Sequence, residues 1–372
     1  MAQPQDLYSE YLRLDRILDA QTPWSEIGGK PAHDEMLFII FHQTYELWFR
    51  QILFELDDVQ QRFSASVVDD RDMQPILARL DRIAAIWRLL VRQLDVLETM
   101  APQDFLDFRE SLRTASGFQS WQFRLIEARL GLRRGDRIPV FHGQFDDGLD
   151  ADHRGRIARA EGAPSVYEQI DGWLARTPFV DWGNYRFWES YRAAVDQMLD
   201  AKAAAAQQSL AGEVLAAELQ AIDRGRRKFH LIFDETEHAK GVEEGLWRMS
   251  WRGLQAALLI TLYRQEPILQ MPARLLSVIM DVDELLRLWR YRHALMVQRM
   301  MGTAIGTGGS AGYGYLMATL EKHRIFSDLY GLATYLIPSH LLPPLPENLR
   351  TEMGYRYHSG LGARGVPANK TP

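Results

Sequence analysis

Helical periodicity dominates this sequence, and alternating strand patterns are scarce. Apolar residues recur at steps of three and four, the spacing that places side chains on one face of an α-helix. The segments with this spacing are 8–20, 34–60 with Asp34 as its cap, and 73–100. The segment 201–239 is rich in Ala, Glu and Lys and predicts one or two helices in contact with solvent. Two further helices are predicted over 247–263 and 273–301. The last two are apolar over too wide an arc for a surface helix. We therefore predict an all-α protein, a large helical bundle with a smaller mixed or helical insertion.

Two regions interrupt the helical pattern. Residues 133–164 are rich in Gly, Asp and Arg, and the run Ile138-Pro139-Val140-Phe141 fits either a strand or an extended loop. We interpret this region as the start of an insertion that ends near residue 215. Prolines recur from residue 343 onward and the chain ends in Gly, Ala, Arg and Pro, so residues 344–372 are expected to be disordered. The predicted units are an arm (1–31), a main helical domain (32–343) and this tail.

Charge and apolar distribution exclude several classes of partner. The 372 residues carry a net charge of −6 and show no basic stripe, so nucleic acid is not an expected partner. The amino-terminal residues lack the basic and apolar regions of a signal peptide. The longest apolar run, 254–263, is about half of the ~18 residues that a membrane helix needs. The sequence thus predicts a soluble, cytoplasmic protein with no membrane partner.

The chain contains no cysteine. This excludes disulfides, thiolate-bound zinc, iron–sulfur clusters, thiolate-ligated haem and haem attached through a Cys-x-x-Cys-His motif. A metal centre in this protein would have to use histidine, carboxylate or side-chain oxygen ligands.

Two histidines stand in apolar helical segments that are far apart in the sequence. His42 shares a helical face with Phe38, and His293 shares one with Trp289. Burying an imidazole among apolar residues is costly unless it has a partner. Each histidine alone fits a structural role, for example with Glu46 as the partner of His42. Together they also fit a haem site, and spacing does not decide between these interpretations.

Arginines near these segments offer groups that bind anions. Arg109 follows Phe105 by four residues, so one helical face could present an aromatic ring and a guanidinium that holds a carboxylate with two hydrogen bonds. Such an arginine equally fits a surface salt bridge. Arg290 and Arg292, which flank His293, either point away from it or pair with haem propionates.

A glycine-rich loop follows the second histidine. The run Gly306-Thr307-Gly308-Gly309-Ser310-Ala311-Gly312 lacks the Gly-Lys-Ser/Thr ending of a phosphate-binding loop, and no strand precedes it as in a dinucleotide site. It fits either a flexible linker or a closing lid whose backbone N–H groups and Thr307 hydroxyl grip a polar ligand.

Five stretches of this sequence resemble the tryptophan 2,3-dioxygenase family. They are YSEYLRLD (8–15), MLFIIFHQTYELWFRQILFEL (36–56), FRESLRTASGFQSWQFR (108–124), WRYRHALMVQRMMGTAIGTGGSAGYGY (289–315) and TYLIPSHLLP (334–343). They occur in the family's order and cover the chain from about Tyr8 to Pro343. The resemblance implies a helical haem enzyme that inserts both atoms of O2 across the C2–C3 bond of L-tryptophan. The product is N-formyl-L-kynurenine, the first intermediate of the kynurenine pathway.

The resemblance also implies roles for the residues around the haem and the indole. His293 matches the proximal haem ligand, with Trp289 beside the cofactor. His42 matches the distal histidine that hydrogen-bonds the substrate indole N–H. Phe38 and Phe105 match the aromatic walls of the indole pocket.

Other matching residues bind the amino-acid end of the substrate or come from another subunit. Arg109 matches the arginine that binds the carboxylate, Thr307 the threonine at the charged ammonium and carboxylate end, and Ser116 a pocket serine. Tyr8 and Tyr11 match tyrosines that enter a neighbouring subunit's site. The resemblance implies one haem b per subunit and a homotetramer, a dimer of dimers in which the arm (1–31) contacts a neighbour.

The chain departs from the family pattern at two places. Position 298 is Gln where some members carry a second histidine, but the proximal ligand is a different residue. A second tryptophan site of animal members is matched only in part. Val68 stands where those members have arginine, although Trp173, Arg176 and Pro178 match.

The residues alone leave two other functions open. A related haem enzyme that oxidises or hydroxylates another indole or a tyrosine would share His293 and part of the fold. A haem-binding or helical scaffold protein without catalytic activity would share the motifs for packing alone. Arg109, Thr307 and an indole-directed His42 favour tryptophan as the substrate.

Overall fold

The computed structural model describes residues 8–112, 115–138, 148–302 and 312–354. Within these ranges the α-helices are α1 (Tyr8–Leu12), α2 (Leu14–Ile17), α3 (Trp24–Ile27), α4 (Asp34–Phe63), α5 (Asp70–Leu97), α6 (Pro102–Arg109), α7 (Trp121–Leu130), α8 (Ala151–Glu161), α9 (Val166–Leu174), α10 (Phe187–Ser209), α11 (Gly212–Phe233), α12 (Glu235–Glu243), α13 (Trp251–Leu262), α14 (Gln270–Met301), α15 (Gly312–Lys322), α16 (Ser327–Gly331) and α17 (Glu347–Glu352). Short 3-10 helices occupy Glu110–Leu112, Gly117–Gln119, Arg134–Asp136, Pro178–Val180, Pro267–Leu269, Leu332–Tyr335 and Ser339–Leu341. The strands β1 (Asp181–Trp182) and β2 (Tyr185–Arg186) form one short antiparallel pair.

The predicted all-α class is confirmed, because the two short strands are a minor part of a helical molecule. Among the helices just given, none combines the length and the apolar character needed to cross a membrane.

Three long helices, α4, α5 and α14, form the centre of the molecule. Helix α5 packs against both α4 and α14, while α7 packs against α4 and α15 against α14. Fully buried side chains fill the space between them, including Ile52 of α4, Leu80 of α5 and Ile279 of α14. Burial of these apolar faces stabilises the bundle and brings the segment around His42 to the same cavity as the segment around His293.

Side-chain caps set where α5 and α7 begin. Asp69 accepts a hydrogen bond from the N–H of Arg71 at 2.8 Å, and the Asp72 carboxylate accepts one from the N–H of Asp69 at 3.3 Å. At the start of α7, the hydroxyl of Ser120 accepts a hydrogen bond from the N–H of Phe123 at 3.3 Å. These bonds satisfy backbone donors that a helix leaves unpaired at its first turn.

Helix α7 ends at Gly131, where φ is 122°, a value that side chains rarely allow. A Cβ atom at this position would lie 2.8 Å from the Cβ atom of Tyr167 in α9. The N–H of Leu132 bonds back to the carbonyl oxygen of Glu127 at 2.9 Å and closes the helix end. Glycine therefore both terminates α7 and permits its close approach to α9.

The amino-terminal part differs from the sequence prediction in two details. The helix expected over 8–20 is divided into α1 and α2, because Arg13 has the left-handed backbone angles φ 53° and ψ 44°. The prediction that Asp34 caps the following helix is wrong. Asp34 is the first residue of α4, and the preceding His33 already has helical angles and makes no side-chain cap.

The region predicted as an insertion shares its core with the main bundle. Most of the run 138–141 lies outside the described residues, which resume at residue 148. Helices α9 and α10 place Ile170, Leu174 and Tyr191 in the same buried cluster as Ile52. The segment 201–239, predicted as one or two helices, contains parts of α10, α11 and α12.

The helical body continues beyond residue 343, where disorder was expected to begin. Leu349 of α17 and Met353 are fully buried or nearly so. The N–H of Ile268 donates a hydrogen bond to the carbonyl oxygen of Met353 at 3.1 Å. The expectation of disorder is therefore wrong for 344–354, and residues 355–372 lie outside the described part.

Candidate functional site

A large cavity lies among α4, α6, α7, α14 and α15. It contains about 1560 Å³ of space free of protein atoms, a figure that includes the solvent in its open mouth. Aromatic and apolar side chains form most of the wall, and His42 and His293 both line it. The two histidines singled out in the sequence therefore belong to one site.

His42 lies on α4 with its tautomer fixed by the backbone. Its Nδ1 lies 2.7 Å from the carbonyl oxygen of Phe38, so Nδ1–H is the donor and Nε2 is left as an acceptor. Burial lowers the pKa of His42, and the hydrogen bond to Phe38 and the charge of Glu46 oppose this only in part. Glu46 itself accepts a hydrogen bond from Gln122 at 2.8 Å. A neutral His42 can thus accept a hydrogen bond from a ligand N–H.

Phe38 and Phe105 form an aromatic wall beside His42. The ring centroid of Phe38 lies 4.1 Å from that of His42 and 6.0 Å from that of Phe105. The fully buried Phe108 makes edge contacts with Phe38 at 5.4 Å and with Phe105 at 5.5 Å. These contacts hold the rings in a fixed arrangement that can receive another flat aromatic ring.

His293 lies on α14 and presents a neutral imidazole at the cavity wall. Burial, with a smaller contribution from His42, lowers the pKa of His293 to about 4. Its Nδ1 is buried, and no residue of the described ranges makes a hydrogen bond to it. Because a metal ion binds the unprotonated nitrogen of an imidazole, His293 is suited to the position of an axial metal ligand.

Trp289 stacks on His293. The ring centroids lie 5.1 Å apart and the ring planes differ by 8°. The indole Nε1–H of Trp289 donates a hydrogen bond to the hydroxyl oxygen of Tyr45 at 3.2 Å, and the Tyr45 hydroxyl donates to the carbonyl oxygen of Leu90. Sequence reasoning assigned Tyr45 no role, although its position three residues after His42 puts it on the same helical face.

Ser116 lines the cavity, whereas Arg109 lies outside its wall. The Ser116 hydroxyl accepts a hydrogen bond from the N–H of Phe118 at 3.3 Å, just before the cavity-lining turn of a 3-10 helix. Arg109 is the half-buried last residue of α6, one turn beyond Phe105. Binding of a carboxylate by Arg109 stays a prediction.

The remaining predicted residues are Thr307, Tyr8 and Tyr11. Thr307 falls within 303–311, outside the described residues. Tyr8 and Tyr11 lie on α1 with 75% and 81% of their surface exposed, and they do not line the cavity of their own chain. Their entry into a neighbouring subunit stays a prediction.

A buried charge cluster, formed by Glu127, Arg124, Arg137, Arg290 and His323, borders the cavity. Arg137 and Arg290 donate hydrogen bonds to the Glu127 carboxylate, and Arg124 donates a third at 3.3 Å. Burial alone would raise the pKa of Glu127, but the charges of Arg137, Arg290 and Arg124 hold it well below its ordinary value. The ionised carboxylate thereby joins α7 to α14. The sequence analysis missed this cluster, for which the local signal was the opposite charges of Arg124 and Glu127, three residues apart in α7.

The two arginines that flank His293 have different partners. Arg290 donates to Glu127 and, at 3.2 Å, to the carbonyl oxygen of His323. Arg292 points to Asp95 of α5 and to Glu98, the residue that follows this helix, with nitrogen–oxygen distances of 2.7 and 3.3 Å. Of the two alternatives stated for Arg292, pointing away from the cavity is the correct one.

A second cavity gathers the residues of the partly matched remote site. Trp173, Arg176, Pro178 and Val68 all line it. The Arg176 guanidinium donates to the carbonyl oxygen of Ser66 at 3.2 Å. The chain therefore builds this cavity with an apolar Val68 in its wall.

Comparison with known proteins agrees with the geometry of the main cavity. Residues 2–336 match the sequence model of the family described as tryptophan 2,3-dioxygenase. The tryptophan 2,3-dioxygenase of Bdellovibrio bacteriovorus is 46% identical over 359 residues, covering 96% of this chain and 100% of that protein. The tryptophan 2,3-dioxygenase of Alteromonas mediterranea is 43% identical over 350 residues, covering 94% of this chain and 97% of that protein.

These matches extend over nearly the whole chain, including both segments that carry the cavity histidines. Because identity exceeds 40% over this length, the similarity is not confined to one motif. The chain belongs to the tryptophan 2,3-dioxygenase family.

Proposed function

We propose that this protein is a haem-dependent dioxygenase that converts L-tryptophan and O2 to N-formyl-L-kynurenine. Both oxygen atoms enter the C2–C3 bond of the indole, which breaks, so no external reductant is consumed. Family membership supports the reaction, since both relatives carry the name tryptophan 2,3-dioxygenase. The observation that carries the proposal is the pair of neutral imidazoles, His42 and His293, in the wall of one large aromatic cavity.

The residues at the cavity fit one haem b per chain. His293 offers an uncharged ring nitrogen, and the wall around it is mostly apolar and aromatic, as a porphyrin ring requires. Trp289 would support the ligand by stacking on its ring. When bound, haem supplies the dioxygen chemistry that protein side chains lack.

His42 orients the substrate in this proposal. Its Nε2 is an acceptor because Nδ1–H is already donated to Phe38, so it can receive the indole N–H. An indole N–H is far too weak an acid for an ordinary imidazole to deprotonate, so His42 acts by holding the ring in place. Phe38 and Phe105 would bind the faces of the indole.

The amino-acid end of the substrate needs charged and polar partners. Arg109 lies one turn from Phe105 and would bind the carboxylate, while Ser116 lines the cavity and Thr307 would complete the grip. Binding both ends of tryptophan would hold the indole close to the oxygen and in the correct orientation. This proximity supplies much of the catalysis.

We also propose a homotetramer, a dimer of dimers, in which residues 1–31 form an arm on a neighbouring subunit. Tyr8, Tyr11, Leu18 and Ile27 are more than 70% exposed on the single chain. So much apolar surface on one short segment fits a covered interface better than an exposed one. Residues 32–343 would then hold the haem and the substrate.

The activity is tested with purified, haem-loaded and reduced protein in air-saturated buffer. L-tryptophan is added, and absorbance is followed in the formylkynurenine band, with tyrosine and indole as parallel substrates. We expect product from tryptophan alone. Turnover of tyrosine or indole without turnover of tryptophan would replace the proposal with a related haem enzyme.

A further inference from the structure

Among the residues that the structure describes, none gives the ring of His293 the hydrogen bond that orients most metal-binding histidines. Such histidines usually donate their second ring N–H to a carboxylate, a carbonyl or water, and this fixes the ring plane. In His293 the Nδ1 atom is buried, yet no residue of the described ranges accepts a hydrogen bond from it. Within the described part of the chain, the orientation of this ring depends on a contact other than a hydrogen bond.

Trp289 provides that contact. It precedes His293 by one helical turn on α14, and the two rings are nearly parallel, 8° apart in plane with centroids separated by 5.1 Å. A parallel stack restricts rotation of the imidazole about its Cβ–Cγ bond, because turning the ring would drive its edge into the indole face. The plane of Trp289 thus determines the plane of His293.

Tyr45 in turn fixes Trp289. Its hydroxyl oxygen accepts the indole N–H at 3.2 Å, and its own O–H donates to the carbonyl oxygen of Leu90. Indole has one donor and no acceptor, so Tyr45 satisfies the whole polar capacity of Trp289. Burial raises the pKa of Tyr45, so its hydroxyl keeps the proton that it donates to Leu90.

The chain of contacts links all three central helices. Tyr45 lies on α4, Leu90 on α5, and Trp289 with His293 on α14. Phe123 of α7 packs against Trp289 with ring centroids 5.1 Å apart and limits its movement from a further side. A hydroxyl group at position 45 is therefore part of a rigid support and not an isolated polar group.

We propose that Tyr45 is a positioning residue that sets the ring plane of His293 through the indole of Trp289. The inference rests on the proposed function in that His293 is taken as the haem ligand. Tyr45 does not act on the substrate. It determines which way the ligand nitrogen faces.

The test compares Tyr45→Phe, Trp289→Phe and the double variant with the native enzyme. Tyr191→Phe is the matched control, because Tyr191 is equally buried and donates to a backbone carbonyl, that of Tyr335, away from the cavity. The readout is the iron–histidine stretching band of the reduced haem protein in resonance Raman spectra. Steady-state kinetics with L-tryptophan accompany it.

We expect Tyr45→Phe to shift or broaden this band, because the unsupported indole lets His293 rotate. The value of kcat should fall up to about tenfold, while KM for L-tryptophan changes less than about twofold. The double variant should match Trp289→Phe, since Tyr45 acts only through that indole. The control Tyr191→Phe should leave the band where it is.

Three results would overturn the inference. The first is an unchanged band in Tyr45→Phe. The second is a large rise in KM with kcat unchanged, which would make Tyr45 a substrate contact. The third is a double variant in which the two effects simply add.

A native protein without bound haem would overturn the proposed function instead. In that case the indole N–H resonance of Trp289, assigned by its loss in Trp289→Phe, decides the inference alone. A shift of this resonance in Tyr45→Phe supports the hydrogen bond, and an unmoved resonance refutes it.

Discussion

His42 and His293 are both neutral imidazoles in one cavity, but their surroundings suit them to different tasks. His42 has a hydrogen bond to a backbone carbonyl that leaves Nε2 as an acceptor. His293 has a stacked indole and a buried Nδ1 atom to which no described residue makes a hydrogen bond. The first arrangement is suited to holding a ligand N–H, and the second to holding a metal.

Substitution of the two histidines should therefore separate their functions. His42→Ala should retain haem and raise KM for L-tryptophan roughly tenfold, because one hydrogen bond to the substrate is lost. His293→Ala should lose haem or its reactivity. Haem content is measured from the Soret absorbance and KM from initial rates. Equal loss of haem in both variants would contradict this division.

Glu127 is the residue on which the buried charge cluster depends. Its carboxylate is the nearest buried negative charge to the guanidinium groups of Arg124, Arg137 and Arg290. Removing one partner from a buried ion pair leaves charge uncompensated in a region of low dielectric constant.

We expect Glu127→Gln to lower the free energy of unfolding by about 3–5 kcal/mol at pH 7, measured by urea denaturation. Asp95→Asn is the control, since its exposed pair with Arg292 should contribute less than about 1 kcal/mol. The pKa of Glu127 is lower in the folded than in the unfolded protein, so its contribution is complete above the unfolded value and is lost as the pH falls through the folded one. The difference in the free energy of unfolding between the native protein and Glu127→Gln should therefore become smaller at acidic pH. A difference in the free energy of unfolding that does not change with pH would contradict this explanation.

Helix α7 carries Arg124 and Glu127, and its end at Gly131 sets how closely it approaches α9. Gly131→Ala should destabilise the protein by about 1–3 kcal/mol, because the new Cβ would lie 2.8 Å from the Cβ of Tyr167 in a backbone conformation unfavourable for alanine. Gly135→Ala is the control, since its Cβ would meet no atom within 4 Å. Thermal unfolding of both variants measures the difference. Equal midpoints would show that α7 can shift without penalty.

The periodicity of apolar residues predicted the long helices well, but it did not predict the break at Arg13 or the short helix near the carboxyl end. The segments 273–301 and 34–60 correspond to α14 and α4 with ends displaced by only a few residues, because their apolar spacing extends over many turns. The break at Arg13 carries no such signal, since a left-handed arginine is set by its surroundings and not by residue type. The helix at the carboxyl end was missed because proline-rich composition hid Leu349 and Met353, which tertiary contacts bury.

The site was predictable where function restricts residue type. Family resemblance identified His42 and His293, and the structure gathers them with Phe38, Phe105 and Ser116 at one cavity. Charge pairs that join distant segments were not predictable, because the sequence does not indicate that Arg290 and Glu127 lie close together in space. Such pairing is a property of the assembled molecule, in which α7 and α14 meet.

The proposed contact of the arm (1–31) with a neighbouring subunit makes a prediction for the whole molecule. Glu35 is buried and accepts hydrogen bonds from the N–H groups of Trp24 and Ser25, both at 2.9 Å, so removal of the entire arm would also disturb the start of α4. Substitution of the exposed Tyr8 and Tyr11 by serine avoids this damage.

We expect the double substitution to raise KM for L-tryptophan about tenfold, the scale of a lost pocket contact, and to leave the unfolding midpoint unchanged. Chromatographic mass measurement checks that assembly is retained. An unchanged KM in a fully assembled oligomer would show that each chain completes its own site.

The hydrogen bond from Trp289 to Tyr45 joins residues that are 244 positions apart in the sequence. This separation affects the order in which the parts of the cavity are synthesised. At roughly 5–20 residues per second, a ribosome releases α14 about 10–50 s after α4. During this interval the apolar cavity face of α4 has no partner from α14 and is exposed to aggregation and to chaperones. If His293 is the haem ligand, as proposed, haem supplied early in synthesis would not yet have this ligand, and we expect cofactor insertion late in maturation.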